Sequence, residues 1–223
     1  MTQYTIKTAL GMNTLNRLDI SINITGSDSI VLNNSILDSI NLNDEYYGVH
    51  LNNSMINHEY FTLKSGLEHY RLLTYLSMMF DGINIFDIGT CGGASSLALS
   101  SSPNNTVHSF DVRNVRSPSL SSIPNIKFYT ENILENRSMC ELLLKSPLIF
   151  LDTAHDGVFE YQFYKFLVDN NYHGIFGLDD INLNDTMRNF WKNISTRKEE
   201  VTRYGHFSGT GLVLFNDITI ITK

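Results

Sequence analysis

The stretch NIFDIGTCGGASSLALS, Asn84 to Ser100, decides how the rest of the chain is read. A short apolar run carries Asp87, a glycine-rich turn follows from Gly89 to Gly93, and small residues and leucines then suit a helix. A glycine turn between a strand and a helix lets a ligand approach backbone N–H groups closely. The dinucleotide fingerprint, Gly-x-Gly-x-x-Gly, is incomplete here, because Cys91 stands where the second glycine belongs. That glycine is the one that admits a pyrophosphate to the backbone. Asp87 would also repel such a group. A ligand of opposite charge fits the turn better.

Outward from this unit, strand and helix signals alternate from about Tyr60. GLEHYRLLTYLSMMF places Leu67, Tyr70, Leu73, Leu76 and Met79 on one helical stripe. TVHSFDV, IKFY, PLIFLD and GIFGLDD read as further strands, and SMCELLLK, GVFEYQFYKFLVDN and NDTMRNFWKNI as helices. EEVTRYG and GLVLF read as two late strands. This order predicts an α/β fold, an open and mainly parallel sheet with helices on both faces. Right-handed crossovers then gather every strand-to-helix turn at the carboxyl edge, where such sheets bind ligands.

Two constellations fall on that edge. Asp111 ends the second strand, 22 residues after Gly89 (111 − 89). A carboxylate there can accept both ribose hydroxyls of an adenosine group. With Asp87 near the turn, a cationic adenosine ligand such as S-adenosylmethionine fits better than NAD; the alternative is that Asp87 and Asp111 only cap the turns that follow them. Asp152 ends the fourth strand, and Asp179 and Asp180 end the fifth. Three unpaired carboxylates brought together repel and raise one another's pKa. A hard divalent cation, Mg²⁺ or Mn²⁺ in its place, would relieve that repulsion. The alternative is that Asp152 alone is functional and Asp180 caps the next helix. His155, in DTAHDG, is a candidate general base or a loop anchor. His206 is a candidate lining residue. The histidines other than His155 show no ligand spacing with one another, and Trp191 reads as helix packing.

Composition excludes several classes. Hydrophobic residues make up 42% and charged residues 17%, which suits a packed core. The net charge of −7, without a basic block, argues against nucleic acid. No apolar run reaches the ~18 residues of a membrane span, and no signal peptide is legible, so a cytoplasmic protein without membrane contact is expected. Cys91 and Cys140 are not expected to pair. Residues 1–60 read as an N-terminal extension, with LDISINITGSDSIVLN as a hairpin. Its roles would be a lid, a packing arm or a homo-oligomer contact. Residues 61–223 form the main domain.

FDIGTCGGASSLAL, HSFDVR, IFLDTAHDG and IFGLDDI, in this order, resemble class I S-adenosylmethionine-dependent methyltransferases. The resemblance implies a Rossmann-like fold with a seven-stranded sheet. Asp87 stands where the family often has Glu, close to the cofactor. Gly89 and Gly93 would face the methionine part, Asp111 the ribose and Asn132 the adenine, with Glu131 competing for the last role. Asp152, Asp179 and Asp180 match the metal positions of metal-dependent small-molecule O-methyltransferases. The implied reaction is methyl transfer to a hydroxyl of a sugar or other vicinal diol, with Asp152 as metal ligand and proton acceptor and His155 as the alternative base. A metal-independent O- or N-methyltransferase and a non-catalytic binding module are the competing readings.

Overall fold

The computed structural model describes residues 29–42, 58–114 and 118–223. Seven strands form the main sheet: β2 (Asn84–Ile88), β3 (Thr106–Asp111), β4 (Ile126–Thr130), β5 (Leu148–Leu151), β6 (Ile175–Leu178), β7 (Lys198–Glu200) and β8 (Gly211–Leu214). Their order across the sheet is β4-β3-β2-β5-β6-β8-β7. The first five are parallel, and β8 enters antiparallel between β6 and β7. This is the Rossmann-like sheet of the class I methyltransferase fold. Two further strands, β1 (Ser29–Leu32) and β9 (Thr219–Thr222), pair in parallel as a separate ribbon.

Among the described residues the helices are α1 (Asn34–Asp38), α2 (His58–Phe61), α3 (Tyr70–Met78), α4 (Ala94–Leu99), α5 (Arg137–Leu143), α6 (Val158–Asp169) and α7 (Asp185–Asn193). Strand residues alternate between two cores. Ile85, Leu148, Phe150 and Ile175 face the side of α3 and α4, while Phe86, Ile149, Leu151 and Phe176 face the side of α6 and α7. Burial on both faces explains why the central strands are continuous apolar runs rather than alternating ones.

Local differences from the sequence reading have physical reasons. The stripe begins late: Leu67 lies ahead of α3 and is 48% exposed. EEVTRYG is strand only at its start; Val201 to Gly205 close a turn in which the Tyr204 and Gly205 N–H groups donate to the Val201 carbonyl. Of the expected hairpin, residues 18–28 lie outside the described residues, and the remainder, β1, pairs with β9 at the far end of the chain. Leu32, Leu37 and Leu42 join the α3 core, and the Tyr75 hydroxyl donates to the Val31 carbonyl at 2.9 Å. Trp191 packs over Gly211, as expected of a packing residue. Cys91 and Cys140 are free. No helix among the described residues is long and apolar enough to cross a membrane.

Candidate active site

The glycine turn leaves β2 at Gly89, which has φ +90°. A Cβ there would sit 1.7 Å from the Asp152 carbonyl oxygen, so only glycine lets the turn lie against the end of β5. Gly93, with φ +97°, caps α4, and a Cβ would strike Leu120. Cys91 adopts a left-handed backbone, at φ +46°, which is uncommon for a residue with a side chain. Its N–H donates to Asp111 Oδ2 at 2.9 Å, and the Arg113 N–H donates to Oδ1 at 2.8 Å. Asp111 therefore both ends its strand and pins the turn.

Asp87 is wholly buried beneath this turn, where it accepts from Ser96 at 2.6 Å and Ser109 at 3.1 Å. Burial lifts its carboxyl above the usual range, and the Ser96 hydroxyl offsets part of that rise. Asp87 thus shapes the turn from below. Asn132 caps a short 3-10 turn, accepting from the Leu134 N–H at 3.1 Å and donating to Glu135 at 3.1 Å. The capping reading holds for the local bonds of Asp111, whereas Asp87 accepts from side-chain hydroxyls and from no turn N–H. It fails for Asp180, because Asn184 caps α7 by accepting from the Met187 N–H.

The second constellation is larger than the three aspartates. The register Leu178↔Gly211 makes the loop before β8 run alongside Asp179 and Asp180. The Ile181 and Asn182 N–H groups donate to the Gly209 and Ser208 carbonyls, which clamps that loop in place. His206 Nδ1 comes to 3.1 Å from Asp179 and 3.2 Å from Asp180, and the Ser208 hydroxyl donates to Asp180. The start of α3 lies on the same edge and supplies Glu68 and His69. His69 Nδ1 lies 2.9 Å from Glu68 and 3.4 Å from Asp179. His155 Nε2 lies 3.0 Å from Asp152 and 3.5 Å from Asp180.

Histidines without ligand spacing in the sequence therefore converge in space. His69 and His206 are distant in sequence, and only the insertion of β8 unites them. Glu68 and His69 were hidden as part of a helix stripe; the usable signal was an acid–histidine pair just before a helix that feeds the first sheet strand. Sets of donor atoms within 4.8 Å are Glu68/His69/His206, His69/Asp152/Asp179 and His155/Asp179/Asp180. Asp152, Asp179 and Asp180 do not form one such set. Histidines stand between them.

Charge follows from this packing. Burial would lower His206, but hydrogen bonds to Asp179 and Asp180 raise it to about 10. Burial would raise Asp179, yet His69 and His206 hold it well below the usual carboxylate range. Asp152 is pushed up to about 6, first by burial and then by Asp179, against the pull of His155. Its side chain remains 30% exposed, against 3% for Asp179, so Asp152 is the acid that faces outward.

No family model matches the sequence, and no curated protein matches it. Among solved structures, cofactor-bound Rv0187 from MTB aligns with a TM-score of 0.51 at 15% identity, covering 81% of this chain and 94% of its own. A putative caffeoyl-CoA O-methyltransferase from Staphylococcus aureus aligns at 0.48 with 15% identity, covering 65% of this chain and 81% of its own. An O-methyltransferase from Bacillus cereus in complex with SAH aligns at 0.46 with 15% identity, covering 65% and 79%. Strand order, the antiparallel β8 and the Rv0187 alignment agree on one conclusion: the chain has the Rossmann-like fold of class I methyltransferases.

Proposed function

We propose that the chain is an S-adenosylmethionine-dependent methyltransferase acting on a hydroxyl of a small molecule, a sugar or other vicinal diol, with a divalent metal assisting. The observation that carries this reading is the contact between Gly89 and Asp152, which sets the glycine turn directly against an outward-facing acid. Gly89, Gly93 and Asp111 would hold the cofactor, with Asp87 fixing the turn and Asn132 at the adenine side. When bound, the cofactor supplies a sulfonium methyl whose leaving group is a neutral thioether.

The donor chemistry fits a metal, since carboxylates and imidazoles meet in two sets that share Asp179, His69/Asp152/Asp179 and His155/Asp179/Asp180. Asp152 and Asp180 would hold Mg²⁺ or Mn²⁺ toward the acceptor, with Asp179 behind them. Such an ion lowers the pKa of a hydroxyl that it binds. Asp152 would accept the proton of the acceptor hydroxyl. Alignment of the acceptor by these residues can supply several kcal/mol, up to about 7–11 for ideal geometry.

A second reading rests on the His155–Asp152 pair at 3.0 Å. There His206 supplies the positive charge, and His155 is the base without a metal. Burial pulls its ring down, and Asp152, Asp180 and Asp179 together pull it up past its ordinary value.

Calorimetry should give micromolar S-adenosylhomocysteine binding and weak NAD binding; the reverse order would remove the cofactor assignment. Labelled S-adenosylmethionine offered with diol acceptors should yield product with Mg²⁺ or Mn²⁺ and none after EDTA. Turnover that survives EDTA would select the His155 reading, and binding without turnover across the acceptors would leave a binding module.

A further inference from the structure

Glu68 and His69 have no place in the reaction above, yet both are buried, at 7% and 3% exposure. Neither ring nitrogen of His69 makes an aligned hydrogen bond, although carboxylate oxygens lie within ion-pair range of Nδ1. The ring is held by ion-pair attraction through Nδ1 alone, without the directed bonds that a buried imidazole ordinarily makes.

The spacing of the neighbours says what would fit. Four donors set about 2.0–2.1 Å from a tetrahedral ion lie about 3.3 Å from one another. His69 Nδ1 is 2.9 Å from Glu68 Oε1 and 3.4 Å from Asp179 Oδ1, and His206 Nε2 is 3.7 Å from Glu68 Oε2. The other nitrogen of His206, Nδ1, lies 3.1 Å from Asp179 Oδ2. A histidine that binds metal through one nitrogen commonly donates its other N–H to a carboxylate, which fixes the ring. His206 has that arrangement, with Asp179 as the acceptor.

We propose that Glu68, His69 and His206 form a divalent-metal site behind the outward-facing acids, oriented by Asp179, which takes a borderline transition ion such as Zn²⁺ in preference to Mg²⁺. Imidazole nitrogens select such ions, whereas Mg²⁺ prefers oxygens and retained waters. The site does not depend on the chain being a methyltransferase. Its donors come from the start of α3 and the loop before β8, which no other part of the proposed chemistry requires.

The full-length protein, stripped of metal, is titrated with Zn²⁺ and with Mg²⁺ by calorimetry, and then loaded with one equivalent of Cu²⁺, which imidazoles also select, for electron spin-echo measurement. One equivalent of Zn²⁺ should bind at least ~100-fold more tightly than Mg²⁺. The Cu²⁺ form should show modulation from histidine nitrogen. His69→Gln should weaken Zn²⁺ binding by more than ~10-fold while S-adenosylhomocysteine binding stays within about twofold. Zn²⁺ and Mg²⁺ binding with similar affinity would overturn the proposal, as would a folded His69→Gln variant that binds Zn²⁺ like the parent. Should that variant not fold, absence of nitrogen modulation in the parent protein would overturn it equally. Loss of cofactor binding alone would count against the methyltransferase reading and leave this site standing.

Discussion

Glu160 holds His155 by its backbone. In the first turn of α6, Glu160 Oε1 accepts the His155 N–H at 2.9 Å and the Thr153 hydroxyl at 2.7 Å, with the side chain buried. His155 sits at φ +55°, a strained position for a non-glycine residue, and its carbonyl accepts from Asn184 at 2.8 Å. Glu160→Ala should release the loop and cost about 1–3 kcal/mol through the donors left unpaired. Glu160→Gln, which keeps one acceptor oxygen, should recover most of that loss. Urea unfolding of both variants checks the order; equal stability of the alanine variant and the parent would show that Glu160 does not anchor the loop.

Gly89→Ala should be among the most damaging single changes in the chain. The alanine would need φ +90° and would place its Cβ 1.7 Å from the Asp152 carbonyl oxygen. Left-handed strain alone costs roughly 1–3 kcal/mol, and the clash with rigid backbone adds to it. The turn and the end of β5 must then separate, so S-adenosylhomocysteine affinity and folding stability should fall together. A variant with parental melting temperature and parental affinity would refute the close packing of these two segments.

His108 supplies a pH test away from the candidate site. Burial, and then Lys127, push it down to about 4. Its Nε2 lies 2.8 Å from Asn84 Oδ1 and its Nδ1 3.1 Å from the Tyr129 hydroxyl, an arrangement that suits the neutral ring. The unfolded chain, with an ordinary value near 6.5, binds the proton first as pH falls. Stability from this group is therefore full above about 6.5 and is lost progressively down to about 4, by roughly 3 kcal/mol in all. His108→Gln should lose less stability than the parent between pH 7 and pH 4.5. Parallel pH curves for the two proteins would contradict the shift.

The parallel part of the fold was legible because each buried strand is an unbroken apolar run followed by a turn and a helix. IFDIG and IFLD announce their own ends, since an acid or a glycine cannot continue a buried strand without a partner. Asp111, Asp152, Asp179 and Asp180 were readable for the same reason: each stands at a strand end in sequence, and the parallel topology converts that into one edge in space. His69 and His206 were not readable as a pair. Their meeting depends on β8 running antiparallel beside β6, which residue spacing does not encode. The β1–β9 ribbon was missed on similar grounds, because it joins opposite ends of the chain and neither strand carries a turn signal toward the other.

That ribbon makes residues 29–42 part of the domain's stability. Leu32, Leu37 and Leu42 have no exposed surface and pack with Leu72, Tyr75 and Leu76 of α3. Arg71 donates through Nε to the Ile40 carbonyl at 3.1 Å, and the Ser65 N–H and hydroxyl both donate to Asp38. α3 begins beside Glu68 and His69, so whatever steadies its outer face also steadies the candidate site. Leu37→Ala should cost about 2–5 kcal/mol, the range for a large-to-small change in a packed core. Removal of residues 1–42 should cost more, since it strips β9 of its only strand partner among the described residues and opens the α3 core to water. The truncated chain should unfold at lower urea, bind apolar dyes and lose S-adenosylhomocysteine affinity. A truncated protein with the parental urea midpoint and parental affinity would show that the segment is an accessory to the domain and no part of its core.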